Sequence, residues 1–351
     1  MSRIIEPSRW NVPRGMDRSR YYITVKQTVS QAMRLGARNS DAVLGTIILA
    51  SLTNSYVEGS AKFTGVCGQT VRNHLRKQDS IDLVNVNDDV VMKLRSMGAF
   101  SRKRILAIDT HDIMYYGDPE AEGVVGTQPK RGSHWAYKFG SISVLLDGER
   151  LTLAAVSVLR EPRLEHVRVL IEHALALDIK PKLILLDGAY NSAEVINYLN
   201  RIGVKYIIRI ASPVKGIRPG DDFVYRTRGH RRRETEQATF RIVAINGRDR
   251  SGKRRLFVFA TNTDLNAKRV RKLFRKRWGI ETSYRMINKF LAKTTSKLHA
   301  VRKLYFYLAI LLYNLWVMLN RSEDRVIADT LKLHAILALT LSFIPDIEGE
   351  G

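Results

Sequence analysis

The spacing of apolar positions changes period several times along the chain. From about Tyr21 to Phe100 it is that of helices. In "SDAVLGTIILASLTNSY" Ser40 stands at the N-cap position, and Val43, Leu44, Ile47, Ile48 and Leu52 form the face to be buried. Residues 1–100 therefore read as an all-helical N-terminal region. In "KFTGVCGQTVRNHLRKQ" a short turn around Gly65 to Gly68 precedes a helix whose exposed face carries Arg72, Asn73, Arg76 and Lys77. From Lys103 the period becomes that of strands: "RILAIDTHDIMYYG", "WAYKFGSISVLLDG" and "RLTLAAVSVL" predict three consecutive antiparallel strands.

Beyond them helices and fully apolar strands alternate. "RLEHVRVLIEHALALD" (163–178) and "SAEVINYLNRIG" (192–203) have helical spacing, whereas "KLILLD" (182–187) and "VKYIIRI" (204–210) are short apolar runs. Apolar strands separated by helices are buried parallel strands in a sheet covered on both faces. The predicted order, β-β-β-α-β-α-β over residues 101–210, is that of the ribonuclease H-like fold, an α/β core with a mixed sheet. Residues 211–262 alternate like strands again, with turns at Gly220, Gly229, Gly247 and Gly252, and read as a β-rich insertion. A helix over 263–298 completes the core, and 299–351 holds C-terminal helices. Within these, "LYFYLAILLYNLWVML" (304–319) carries Asn314 and falls short of the about 20 apolar residues of a membrane span, so it reads as a buried core helix.

Charge narrows the partners. The formal net charge is +24, which favours a polyanion, with nucleic acid first and a membrane surface second. On that footing the helix bearing Arg72, Arg76 and Lys77 fits the recognition helix of a helix-turn-helix, which enters the major groove; an amphipathic helix with a solvated basic face fits the same residues. The single cysteine, Cys67, excludes an internal disulfide framework and a Cys-rich zinc site. The stretch "MSRIIEPSRWNVPRG" has no apolar signal core, which predicts a cytoplasmic protein. No P-loop, GxGxxG motif or internal repeat occurs.

Three carboxylates stand at chemically informative places. Asp109 ends the apolar run "RILAID", and Asp187 closes "KLILLD" immediately before Gly188. Reactive groups of open α/β sheets gather outside such strand ends, although an Asp there also serves as an ordinary turn former or helix cap. The third is Glu281, the one acidic residue in "RKLFRKRWGIETSYRMINKF" (271–290). On a continuous helix Phe274, Arg277, Glu281, Arg285 and Asn288 would share one stripe, bordered by Trp278 and Tyr284. A solvated helix with weak i,i+4 ion pairs accounts for the charges. It leaves the aromatic residues unexplained, whereas a DNA backbone lying along the helix suits Arg, Trp and Tyr around one Glu.

These residues resemble those of a DDE transposase of the prokaryotic insertion-sequence type, in the insertion-sequence-four-like superfamily with its Tyr-Arg-Glu-Lys signature, Y-x2-R-x3-E-x6-K. Phe274 takes the Tyr position, Arg277 the Arg and Glu281 the Glu; the Lys position falls on Asn288, with Lys289 next to it. "LLDGAYNSAEVINYL" resembles the second-Asp box of that group and "AIDTHDIMYYG" its first. The resemblance covers roughly residues 100 to 320. It implies a β-structured insertion before the Glu helix, which suits 211–255, where 13 Lys and Arg, among them Arg231, Arg232 and Arg233, stand against 5 Asp and Glu. Such a surface is an electrostatic footprint for DNA. Phe223, Tyr225 and Phe240 are the aromatics available there for capturing a flipped base, and base flipping stays open.

The resemblance further implies metal-dependent hydrolysis at transposon ends followed by strand transfer of the freed 3′-hydroxyl into target DNA. Three carboxylates without His or Cys select Mg²⁺, or Mn²⁺ in its place. Two ions about 4 Å apart would be held by Asp109, Asp187 and Glu281, with Asp109 bridging both. Arg277, Arg285, Lys289 and Asn288 would bind phosphates near the scissile bond. The expected partners are the terminal inverted repeats and target DNA, the expected assembly is a homodimer at paired ends, and the expected location is the prokaryotic nucleoid. Rival readings are an inactive transposase-derived DNA-binding protein and a nuclease of this fold that cuts without joining. Asp112 is a lesser candidate for the place of Asp109; His111 and His134 read as structural or DNA-facing, His166 and His173 as surface residues, and Asp118 and Glu120 as parts of a solvated loop.

Overall fold

Among the described residues, five helices precede the first strand: α1 (Ser19–Ala32), α2 (Ser40–Thr53), α3 (Val57–Thr64), α4 (Gly68–Leu75) and α5 (Ser80–Ser96). The computed structural model describes residues 19–35, 40–146, 149–159, 161–211, 216–227, 236–249, 251–322 and 327–342. The chain divides into two compact units, one of residues 1–99, 120–122 and 284–351, the other of 100–119 and 123–283.

In the first unit α2 is not the half-buried helix its spacing predicts. Every residue from Val43 to Leu52 is buried, because α3 lies beside it and further helices close around it. Thr46 is satisfied in place: its Oγ1 donates to the Ala42 carbonyl at 2.7 Å and meets Thr64 Oγ1 at 2.5 Å. Gly65 stops α3 in the left-handed region at φ 70°, where glycine meets no Cβ penalty, and α4 begins three residues later.

The second unit carries a mixed sheet. Strand β1 (Lys103–Tyr115), β2 (Val124–Lys130), β3 (Ser133–Leu145) and β4 (Arg150–Ser157) are antiparallel neighbours, with β3 pairing β1, β2 and β4. Four strands thus stand where three were expected; β2, "VVGTQPK", is polar and largely exposed, so it lacks the burial period by which strands are read. Helix α6 (Arg163–Ala176), β5 (Lys180–Leu186), α7 (Ala193–Arg201) and β6 (Tyr206–Ile210) follow, and β5 pairs parallel with both β1 and β6. The antiparallel arm β4-β3-β1 continued by parallel β5 and β6 is compatible with the expected ribonuclease H-like core.

The residues read as an insertion extend this same sheet. Strands β7 (Asp222–Arg226), β8 (Thr239–Arg248) and β9 (Arg254–Thr261) are consecutive antiparallel partners, and β9 pairs with β6. The apolar "FVFA" of β9 is buried and occupies the edge that β6 would otherwise present with unpaired backbone groups. Phe240 is buried and Tyr225 packs against it at 5.6 Å, leaving Phe223, 42% exposed, as the accessible ring of the three aromatics considered for base capture.

Helix α8 (Ala267–Arg275) leads through a 3-10 turn (Lys276–Trp278) into α9 (Gly279–Ile287), within which the boundary between the units falls. A second 3-10 turn (Asn288–Phe290), α10 (His299–Ser322) and α11 (Ala328–Leu341) complete the first unit. Helix α10 is long and apolar enough to cross a membrane by length and composition, yet 83% of its apolar stretch is buried, with α5 and α1 packed against it. Its Asn314 is fully buried and donates to the Asn87 side-chain oxygen at 2.7 Å. Asn314→Leu removes that donor from a fully buried site and leaves the Asn87 oxygen without it, and denaturant unfolding should show a loss of about 1–3 kcal/mol.

Candidate active site

Parallel pairing of β1 with β5 sets Ile108 beside Leu186 as its last pair, so Asp109 and Asp187 follow it side by side. The runs that precede them, Leu106 to Ile108 and Ile184 to Leu186, are wholly buried, which anchors both positions in the middle of the sheet. Asp109 still lies within β1, opposite Ser141 of β3, whereas Asp187 turns the chain into the 3-10 turn Gly188–Tyr190. A Cβ on Gly188 would lie 3.1 Å from the Arg209 carbonyl oxygen, so glycine there permits the close approach of β6.

One guanidinium joins the two aspartates. Arg277 Nη1 donates to Asp109 Oδ2 at 2.7 Å, and its Nη2 lies 3.2 Å from Asp187 Oδ1. The side chains of Arg277 and Asp109 are 7% and 8% exposed, that of Asp187 37%. The Thr110 backbone N–H donates to Asp109 Oδ1 at 2.9 Å. Arg277 is placed by its neighbours: its guanidinium lies 5.2 Å from the centre of the Phe274 ring, Phe274 packs on Phe259 of β9 at 5.0 Å, and Arg150 donates to the Lys276 carbonyl at 2.8 Å.

Two further residues belong to this surrounding and were not singled out in the sequence. Arg209 of β6 is half-buried and lies over the Phe257 ring at 5.0 Å; Arg271 lies over the same ring at 4.9 Å. Burial pulls the Arg209 guanidinium below its ordinary value, Asp187 opposes this, and Arg277 and Arg255 add repulsion. Tyr190 is buried with its hydroxyl lacking a hydrogen-bond partner, 3.2 Å from where a Cβ on Gly140 would stand. Burial, then the charges of Asp109 and Asp187, push its phenol above the usual range. The signal for both was available only as position: Arg209 near the end of an apolar strand and Tyr190 three residues after Asp187.

The stripe from Phe274 to Asn288 is not carried by one continuous helix. A 3-10 turn advances three residues per turn where an α-helix takes 3.6, so the register breaks at Lys276–Trp278. Phe274 faces the sheet, Arg277 faces the aspartates, and Asn288 begins the second 3-10 turn. Glu281 follows Arg277 by four positions on α9; its side chain, like those of Trp278 and of Arg231, Arg232 and Arg233, lies outside the described residues.

The remaining expected DNA contacts lie in the first unit. Tyr284 is 5% exposed, so its ring is packed inside rather than offered to a duplex, a correction to its expected role. Arg285 and Asn288 are exposed, and Lys289 pairs with Asp329 at 2.5 Å. Arg72 is paired with Glu58 and donates to Gln69, while Arg76 and Lys77 are exposed just past the end of α4.

Asp112 does not take the place of Asp109. It accepts from Thr127 at 2.8 Å and Lys130 at 3.0 Å, with Lys138 at 3.5 Å. Burial works against its charged form, but those three groups outweigh it and hold the carboxyl below its usual range. His166, expected at the surface, is buried 3.7 Å from Glu161, because α6 packs that face on the sheet. His111 is half-buried and His134, Asp118 and Glu120 are exposed.

Among the described residues no group of three or more His, Cys, Asp or Glu gathers as a metal set. Asp109 and Asp187 nonetheless converge on one cation, and two hard carboxylate oxygens around one positive centre are the donor chemistry of a hard divalent ion. A family model described as Transposase DDE domain matches residues 100–315, from the start of the sheet into α10. A search of curated proteins finds no match. Members of such a family act on DNA and use divalent metal ions. With the match spanning more than half of its length, and with both sheet aspartates inside it, the chain belongs to the family of transposases carrying the DDE domain.

Proposed function

We propose that this chain cuts DNA at the ends of a mobile element and joins the freed 3′-hydroxyl to a target strand, with Asp109, Asp187 and Glu281 as the metal-holding carboxylates. The observation that carries the reading is the meeting of Asp109 and Asp187, just past the end of the parallel pairing of β1 with β5, on the Arg277 guanidinium. When bound, Mg²⁺ or Mn²⁺ would supply Lewis-acid activation of the attacking oxygen and charge neutralisation at the leaving one.

The chain's own groups then act as follows. Asp109, held in β1 and by the Thr110 N–H, keeps a fixed carboxylate beside Asp187. Arg277 neutralises the two aspartates while no substrate is present, and turns to a phosphate oxygen when DNA arrives, since Arg binds phosphate through the same planar fork. Arg209 stands ready on the Asp187 side for a second phosphate contact. In the first step water attacks phosphorus and the 3′-oxygen leaves; in the second that 3′-hydroxyl attacks a target phosphodiester and the target's own 3′-oxygen leaves.

The first unit supplies binding in this reading. Helices α3 and α4 form the helix-turn-helix, with Arg76 and Lys77 facing the duplex, and Arg285, Asn288 and Lys289 contact backbone. The three arginines Arg231, Arg232 and Arg233 add non-specific charge. Two copies would pair the two terminal repeats, working in the cytoplasm on the nucleoid.

Labelled duplexes carrying the element's ends, incubated with the full chain and Mg²⁺, should be nicked at the end and joined to a second DNA. Binding without cutting would leave a transposase-derived DNA-binding protein, and cutting without joining a nuclease.

A further inference from the structure

The first unit contains a cleft of about 650 Å³ that shares no lining residue with the aspartate site and reaches the end of α4 at Arg76. One wall is α4 with Arg72 and Arg76; the other is the non-helical strap of residues 291–298 that leads into α10. Along the strap exposure alternates, with Lys293, Thr295 and Lys297 outward and Ala292, Thr294 and Ser296 turned inward or half-covered. The strap is fastened from behind. Lys293 N–H donates to the Ser55 carbonyl at 2.9 Å, Asn54 donates to the Leu291 carbonyl at 3.0 Å, and Arg302 donates to the Ser296 carbonyl at 2.7 Å. The Thr294 and Ser296 hydroxyls accept from backbone N–H groups two residues on, at 3.0 and 3.2 Å.

Four cations, Arg72, Arg76, Lys293 and Lys297, therefore line a cleft whose one acid, Glu58, is already paired with Arg72. Outward residues of an extended strap recur every about 6.6 Å, twice the rise per residue, a step comparable to that between neighbouring phosphates of one strand. Val301 and Tyr305 give the floor an apolar surface against which a sugar can lie. A small anion would use one or two of these cations; a row of them on both walls fits a continuous polyanion.

We propose that this cleft grips the sugar–phosphate backbone of one DNA strand, adjoining the place where α4 meets the duplex, with Lys293, Thr295 and Lys297 as the outer wall. The assignment rests on the DNA-acting reading above and adds to it a positioning surface made by a strap remote in sequence from α4. Its contacts are to phosphate, so they set register and affinity without reading bases.

The test is fluorescence anisotropy of the metal-free full chain on a labelled duplex between 50 and 200 mM salt, for wild type, Lys293→Gln/Lys297→Gln and the remote surface variant Lys93→Gln. Each lost phosphate contact lowers the slope of log affinity against log salt by about 0.9, so the double variant should lose about 1.8, equally on two unrelated sequences, while Lys93→Gln keeps the wild-type slope. A double variant whose slope matches that of Lys93→Gln, in a chain that still binds and cuts DNA, overturns the cleft and leaves the transposase reading standing. A wild-type chain that binds no DNA overturns both. Loss of binding to vesicles of anionic lipid with duplex binding unchanged would assign the cleft to a membrane surface and overturn it as well.

Discussion

Asp109→Ala should lower the unfolding free energy by about 3–5 kcal/mol, beyond ending cleavage, because it strands the buried Arg277 guanidinium. Both side chains are more than nine-tenths covered, so solvent cannot take over the role of the lost carboxylate. Asp187, 37% exposed at 3.2 Å, offers partial compensation only. Arg277→Met in the same chain removes the stranded charge and leaves an apolar side chain beside Phe274, so the double variant should recover much of the loss in denaturant unfolding while remaining unable to cut. Asp187→Asn, acting on a more exposed pair, should cost less than about 1 kcal/mol. An Asp109→Ala chain as stable as wild type, or a double variant no more stable than the single one, would remove the buried pair from the account of this unit.

Asp187→Asn and Glu281→Gln should each reduce single-turnover cleavage by on the order of 10³-fold while leaving duplex binding intact. A carboxylate and its amide have the same shape, so the change removes charge and metal affinity rather than packing. Loss of several kcal/mol of transition-state charge stabilisation, at 1.36 kcal/mol per tenfold, gives that magnitude. Binding should hold or tighten, since the removed charge repels phosphate. Gel-resolved cleavage with Mg²⁺ alongside anisotropy separates the two effects. A Glu281→Gln chain that cuts at the wild-type rate would place the third carboxylate elsewhere than α9.

Much of the architecture is written in local patterns. The "LILL" of "KLILLD" is apolar throughout because that part of β5 is covered on both faces between β1 and β6, and a run with no polar face can be recognised without knowing its partners. The same applies to "RILAID", which ends at Asp109, and to the apolar run of α10, whose lone Asn314 already speaks against lipid surroundings. Strand β2 was not recognisable in this way, since its side chains are mostly solvated and carry no burial period.

What the sequence by itself determined is therefore the set of short-range periodicities: a helical beginning, a mixed sheet, an aspartate at the end of β5 and a strongly basic chain; Asp109, read as a strand end, lies within β1, which runs on to Tyr115. Only the tertiary structure decided which groups meet. Arg277 finds Asp109 across 168 positions, and Asn314 finds Asn87 across 227. The 3-10 turn that aims Arg277 at the aspartates interrupts a sequence that reads as one continuous helix, because its geometry is set by Phe274 on Phe259 and by Arg150 on the Lys276 carbonyl. The burial of His166 and of the whole circumference of α2 follows from the elements packed around them. Periodicity depends on one face of one element and is local; partnership depends on chain closure between distant elements, which no window of neighbouring residues contains.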